Sequence, residues 1–148
     1  MRGFCRGKGP ALAVAALALG QIWTSSLAMA QANRYTVSSG TVHDNKTNLT
    51  WQQASPTTTY TLSAASTYCQ GMGTGWRLPT IKELLSIVDF TIPSPGPTLP
   101  PVFSGPASFY WSSTAVAGSP PFMWGVNFDY ATMGDHGSDD VGVVRCVR

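Results

Sequence analysis

Histidine is scarce in this 148-residue chain, with two in all, and charged residues make up 11% of it. His43 and His136 have no partner at His-x-x-x-His spacing, and the chain holds no Gly-x-Ser-x-Gly elbow and no Cys-x-x-Cys. The usual raw material for metal-assisted hydrolysis, serine hydrolysis and dithiol chemistry is therefore missing. Gly71-x-Gly73-x-Gly75 has neither the spacing nor the following Lys-Ser/Thr of a phosphate loop, and reads as a turn between helices. The apolar stretch from Ala11 to Leu19 is broken at Gly20-Gln21, well short of the roughly 20 residues that a membrane-spanning helix needs. No internal repeat or low-complexity array is present.

That apolar stretch follows Arg2, Arg6 and Lys8 and precedes Ala28-Met29-Ala30, the pattern of a secretory signal with cleavage expected after Ala30. Cys5 lies before the apolar segment and so does not suit lipid attachment. Residues 31–148 are expected to form one domain with one core. Within them Arg34, Lys46, Arg77, Lys82, Arg145 and Arg148 face all seven acids, a net charge of −1. Such a balance gives no strong attraction to nucleic acid or to an anionic membrane, and no membrane span is expected once the signal is removed.

Gly75-Trp76-Arg77-Leu78-Pro79-Thr80 carries a local instruction. Pro79 keeps Leu78 out of the helical region, and Thr80 with Glu83 forms a capping box that opens a helix over Ile81 to Val88. Together with Val42 to Gln52, Ala64 to Cys69, Tyr110-Trp111-Ser112-Ser113-Thr114, Trp124 to Phe128 and the terminal Val144-Arg145-Cys146-Val147-Arg148, this run resembles the Lcl C-terminal-like domain family. The blocks arrive in the family's order. The family comprises bacterial extracytoplasmic modules related in fold to C-type lectin-like and formylglycine-generating-enzyme-like domains. Asn48 stands where the family usually has Gly, and Asn also tolerates a left-handed backbone.

The resemblance implies an α+β, C-type lectin-like fold: two short helices on antiparallel strands, long loops and one disulfide. In that fold a cystine ties the first helix to the last strand, which suits Cys69 and Cys146. An oxidising compartment favours the same pairing, against a reactive or metal-binding thiol pair. Closing so long a loop is worth roughly 4 kcal/mol in the chain-entropy model.

Local pattern fills in the remainder. Tyr35-Thr36-Val37 and Leu49 to Gln52 read as strands around a turn at Asp44 to Asn48, and Leu62 to Gln70 reads as a helix with Leu62, Ala65, Tyr68 and Cys69 on one face. Six prolines between Ile92 and Pro106 suggest a stiff excursion over the surface. Phe109 to Ser113, Phe122 to Phe128 and Val141 to Val147 read as three strands, the last two joined by the acidic segment Asp129 to Asp140 as a hairpin tip.

These residues point to a binding module, secreted, on the cell surface or periplasmic, whose partner is an extracellular glycan or protein. Candidate ligand-binding residues are Phe122, Tyr130, Asp135, His136, Asp139 and Asp140, in or beside the acidic segment. Trp51, Trp76, Trp111 and Trp124 are expected in the core, and Phe109 with Phe122 and Tyr130 on an exposed platform. No catalytic residue, resident metal or cofactor is assigned, although oxygen-rich segments such as Asp129 to Asp140 can hold calcium. The adhesin of the family recognises sulfated polysaccharides, a ligand class that needs clustered Lys and Arg. The scattered basic residues here do not supply them. The alternatives are an extracytoplasmic enzyme built around His43-Asp44 or Asp135-His136, and a structural component of an envelope complex.

Overall fold

The computed structural model describes residues 34–148. The expected signal segment, residues 1–30, lies outside them.

Three short strands open the fold. β1 (Tyr35–Ser38), β2 (Thr41–Asp44) and β3 (Leu49–Gln52) form one antiparallel sheet in chain order. Ser39 and Gly40 both take positive φ, 47° and 78°, as a two-residue hairpin turn matched to strand twist requires. Asn48 has φ 58°, so it fills the left-handed role foreseen for it. Arg34 clamps the buried Asp44 carboxylate through Nε and Nη2 at 3.2 and 2.8 Å and reaches the Ser86 carbonyl, fixing the sheet to the helical layer.

Two helices follow. α1 (Leu62–Gly71) buries Ala65 and Cys69, which are four residues apart and therefore on one face. α2 (Ile81–Ser86) opens on the expected capping box: the Thr80 hydroxyl accepts from the Glu83 amide, and the Glu83 carboxylate accepts from the Thr80 amide. It ends at Ser86, two residues before the expected Val88. Ile87 and Val88 continue into the core as a tight turn.

A second antiparallel sheet is built from β4 (Phe109–Ala115), β5 (Phe122–Asn127) and β6 (Thr132–Gly137), again in chain order. β4 is the partition of the molecule. Its alternating side chains send Tyr110 into a core with Val42, Trp51, Leu84, Phe128 and Val147, and send Phe109 and Trp111 into a second core with Cys69, Trp76, Leu78 and Cys146. The chain is thus mixed α+β: two three-stranded sheets and two short helices, with Cys69 and Cys146 joined in a disulfide. Among the described residues no helix is long and apolar enough to cross a membrane.

Four expectations change. The proline-rich stretch is exposed at first but then turns inward: Thr98, Leu99 and Phe103 are buried, because Thr98 bonds the Phe128 carbonyl and delivers the two side chains that follow into the core. Val141 to Val147 is not a regular strand. It makes separate bridges from Gly142 to Tyr60, from Val143 to Tyr110 and from Val147 to both Trp51 and Arg77, so its amides are satisfied by four different segments. The acidic segment is not a hairpin tip, since β6 occupies its middle and pairs fully with β5. Phe109, expected on an exposed platform, is buried; Trp51, Trp76 and Trp111 are buried as expected, and Trp124 is half-buried.

Candidate functional site

A groove of about 520 Å³ opens where the start of α1, the Trp-Arg-Leu-Pro run, β4 and β5 meet. Leu78 is buried, and Leu62 and Met123 are partly buried, giving the groove an apolar floor. Exposed Ser63, Arg77, Ser113 and Asp139 stand around it. Thr61, Ser66 and Ser138 complete the lining, so hydroxyls account for half of the residues that face the space.

Backbone bonds hold these walls. The Arg77 amide and carbonyl pair reciprocally with Val147, next to the cystine that anchors α1. Ser113 donates to the Pro79 carbonyl through both its amide and its hydroxyl, at 2.8 and 3.2 Å, joining β4 to the loop before α2. The Ile81 amide donates to the Thr114 hydroxyl at 3.0 Å, and the Leu62 amide to the Ser138 carbonyl at 3.3 Å. A space whose walls are joined by four such ties is pre-formed.

The charges of the groove are nearly matched. Arg77 donates to Glu83 through Nη1 and Nη2 at 2.9 and 2.7 Å, and Nη1 also donates to the Leu78 carbonyl. The Arg77 hydrogen bond outweighs burial and, with the Thr80 amide, pulls the Glu83 carboxyl down to about 2. Three of the five guanidinium N–H groups are thereby committed.

The expected site residues are divided by the β5–β6 hairpin. Asp139 lines the groove. His136 is directly opposite Met123 across the strands, stacks on the buried Phe109 ring at 3.9 Å and has its Nδ1 3.7 Å from Asp140. Asp140 accepts from the Gly137 amide and so shapes the turn after β6. Phe122 and Asp135 occupy the opposite face of the hairpin from Met123 and His136, by strand alternation. Tyr130 is at the far end of the hairpin, in the turn between β5 and β6. His43 belongs to the other sheet, where its Nδ1 meets the Thr50 hydroxyl at 3.2 Å, so the two histidines are not brought together. Among the described residues no three His, Cys, Asp or Glu side chains converge to hold a metal ion.

Sequence reasoning missed Thr61, Ser63, Ser66, Arg77, Ser113 and Ser138 as groove residues. One signal was available for two of them: Arg77 and Ser113 belong to the two most distinctive blocks, and these blocks meet here. Ser63 and Ser66, three apart on α1, are also a same-face pair.

The family model described as Lcl C-terminal domain matches residues 40–148, which takes in every groove residue. No match is found among curated proteins.

Proposed function

The chain belongs to the Lcl C-terminal domain family, and from that premise we propose that it is an exported, non-catalytic binding module on a C-type lectin-like scaffold, recognising an extracellular glycan or protein. The pre-formed groove is the observation that carries this reading. Its hydroxyl rim and apolar floor suit recognition of a polar ligand, and neither histidine lines it. The cystine between α1 and the terminal segment fits both the scaffold and an oxidising compartment. Of the expected ligand-binding residues, Asp139 lines the groove.

A glycan array together with a pull-down from extracellular material tests the proposal. Retention of a glycan or protein by the oxidised chain is the expected result, and silence in both assays would remove it.

A second reading, an assembly contact in an envelope complex, draws on a different surface. Phe90 is 73% exposed and Tyr130 58%. The backbones of their neighbours Asp89 and Asp129 bond Thr98 and Gly96, which places both residues beside the proline-rich segment. Loss of protein capture in a Phe90→Ser, Tyr130→Ser double variant, with glycan binding intact, would favour this reading.

A further inference from the structure

We infer that the groove is built for an uncharged saccharide, a specificity that deepens the binding-module reading and rests on it. Charge is the first argument. Arg77 is the one basic residue in the lining, and its charge is already opposed by Glu83 at 2.7 Å, while Asp139 adds a negative charge to the same space. A sulfated or carboxylated ligand would meet no unmatched cation there and would be repelled by Asp139. An uncharged polyol meets neither penalty.

Donor and acceptor supply is the second argument. Sugar hydroxyls both donate and accept. The Asp139 carboxylate accepts, the uncommitted N–H groups of Arg77 donate, the Ser63 and Ser138 hydroxyls do both, and the Ser113 hydroxyl, whose proton goes to Pro79, accepts. Leu78 and Met123 offer the apolar contact that the C–H face of a pyranose ring requires. Hydroxyl groups crowding half of the lining fit a peptide side chain poorly, because an apolar residue would leave them desolvated without partners. The volume, about 520 Å³, falls within the usual range of small-ligand sites and accommodates about two or three sugar rings.

The test is calorimetry on the purified, oxidised chain with maltotriose, cellotriose, mannotriose and chitotriose as uncharged probes. Heparin and galacturonate oligomers are the charged probes, with a random peptide library in parallel. Ser63→Trp fills the groove from an exposed position on α1, Asp139→Ala removes the carboxylate, and Lys46→Ala, at an exposed position in the turn between β2 and β3, is the control. The expected result is binding of at least one uncharged probe, insensitive to added salt. Each groove variant should weaken it about tenfold or more, as loss of one charge-assisted hydrogen bond or of the space itself predicts, and Lys46→Ala should leave it unchanged. Binding confined to charged probes, binding indifferent to Ser63→Trp, or peptide capture in place of sugar would overturn the inference while leaving a binding module standing. Silence toward every probe would overturn the inference, and the glycan array and pull-down then decide the binding module itself.

Discussion

Arg77 and Glu83 form a two-pronged ion pair, at 2.9 and 2.7 Å, and the same Glu83 carboxylate accepts the Thr80 amide at 2.7 Å. One carboxylate therefore serves two purposes, closing the capping box of α2 and holding the arginine that borders the groove. The arrangement makes the groove's electrostatics a by-product of helix initiation. It also explains why a chain with so few charges sets two of them here.

The pair predicts an acid limb in the stability curve. Arg77 holds Glu83 from an ordinary 4.5 down to about 2, so its contribution is complete above 4.5 and is lost as pH falls toward 2. Because the Arg77 side chain is 47% exposed, solvent screening reduces the contribution to about 1 kcal/mol. Urea unfolding of Glu83→Gln should show that loss at neutral pH and a flatter profile between 4.5 and 2. Asp44, which burial would raise but which its bonds to Arg34 and the Lys46 amide bring below its ordinary value, should preserve part of the acid slope in that variant. A profile identical to that of the unmodified chain would contradict the pairing.

The cystine yields a second prediction. Cys69 and Cys146 are 77 residues apart, and their bond ties α1 to the terminal segment that also pins Arg77. Replacing both with Ser should cost roughly 4 kcal/mol, part of it through the unfolded chain. Thermal unfolding with and without reductant should show the unmodified chain dropping to the level of the double variant, and the double variant not responding.

Arg145 is a buried cation held by carbonyls and aromatic rings. Nη1 donates to the Gln52 and Gln53 carbonyls at 2.7 and 2.8 Å and Nη2 to the Ser104 carbonyl at 2.9 Å, with Phe103 4.9 Å beneath the guanidinium. It fastens the inward half of the proline-rich segment to β3. A lysine ammonium is a compact donor and cannot span three carbonyls in this plane, so Arg145→Lys should destabilise by about 2 to 4 kcal/mol. Chemical denaturation checks it, and proteolysis within residues 98–106 should accelerate at the same time.

Much of this was legible in the chain. The capping box and the left-handed Asn48 follow from residues within a few positions, the cystine from the compartment and the family resemblance, and each is present; the turn before Leu49 was foreseen, but β2, which separates the two expected strands and pairs with both, was not. The groove was less legible because it is made where distant blocks meet, and hydroxyl residues carry no periodic signal. The inward turn at Leu99 and Phe103 was hidden by the prolines around them, which argue against regular structure but not against burial. β6 was missed because Thr132-Met133-Gly134-Asp135-His136-Gly137 lacks apolar alternation: Gly134 contributes no side chain and His136 takes the place of an apolar residue on the Phe109 ring.

That hairpin supplies the sharpest contrast between neighbouring positions. Gly125 on β5 and Gly134 on β6 are direct partners in register. A methyl group at Gly125 would collide with the Phe109 ring and the Tyr110 carbonyl, whereas one at Gly134 would meet nothing within 4 Å. Phe109 cannot retreat, because it packs edge-on against Trp111 at 5.2 Å and beneath His136 at 3.9 Å. Gly125→Ala should therefore cost about 2 to 4 kcal/mol through overpacking, with tryptophan fluorescence shifted as Trp111 is displaced. Gly134→Ala should be neutral or slightly stabilising, since it restricts the unfolded chain and fits the strand. Thermal unfolding of the two single variants decides the matter: equal losses would mean that Phe109 does not occupy the space above Gly125, and the second core would have to be packed differently.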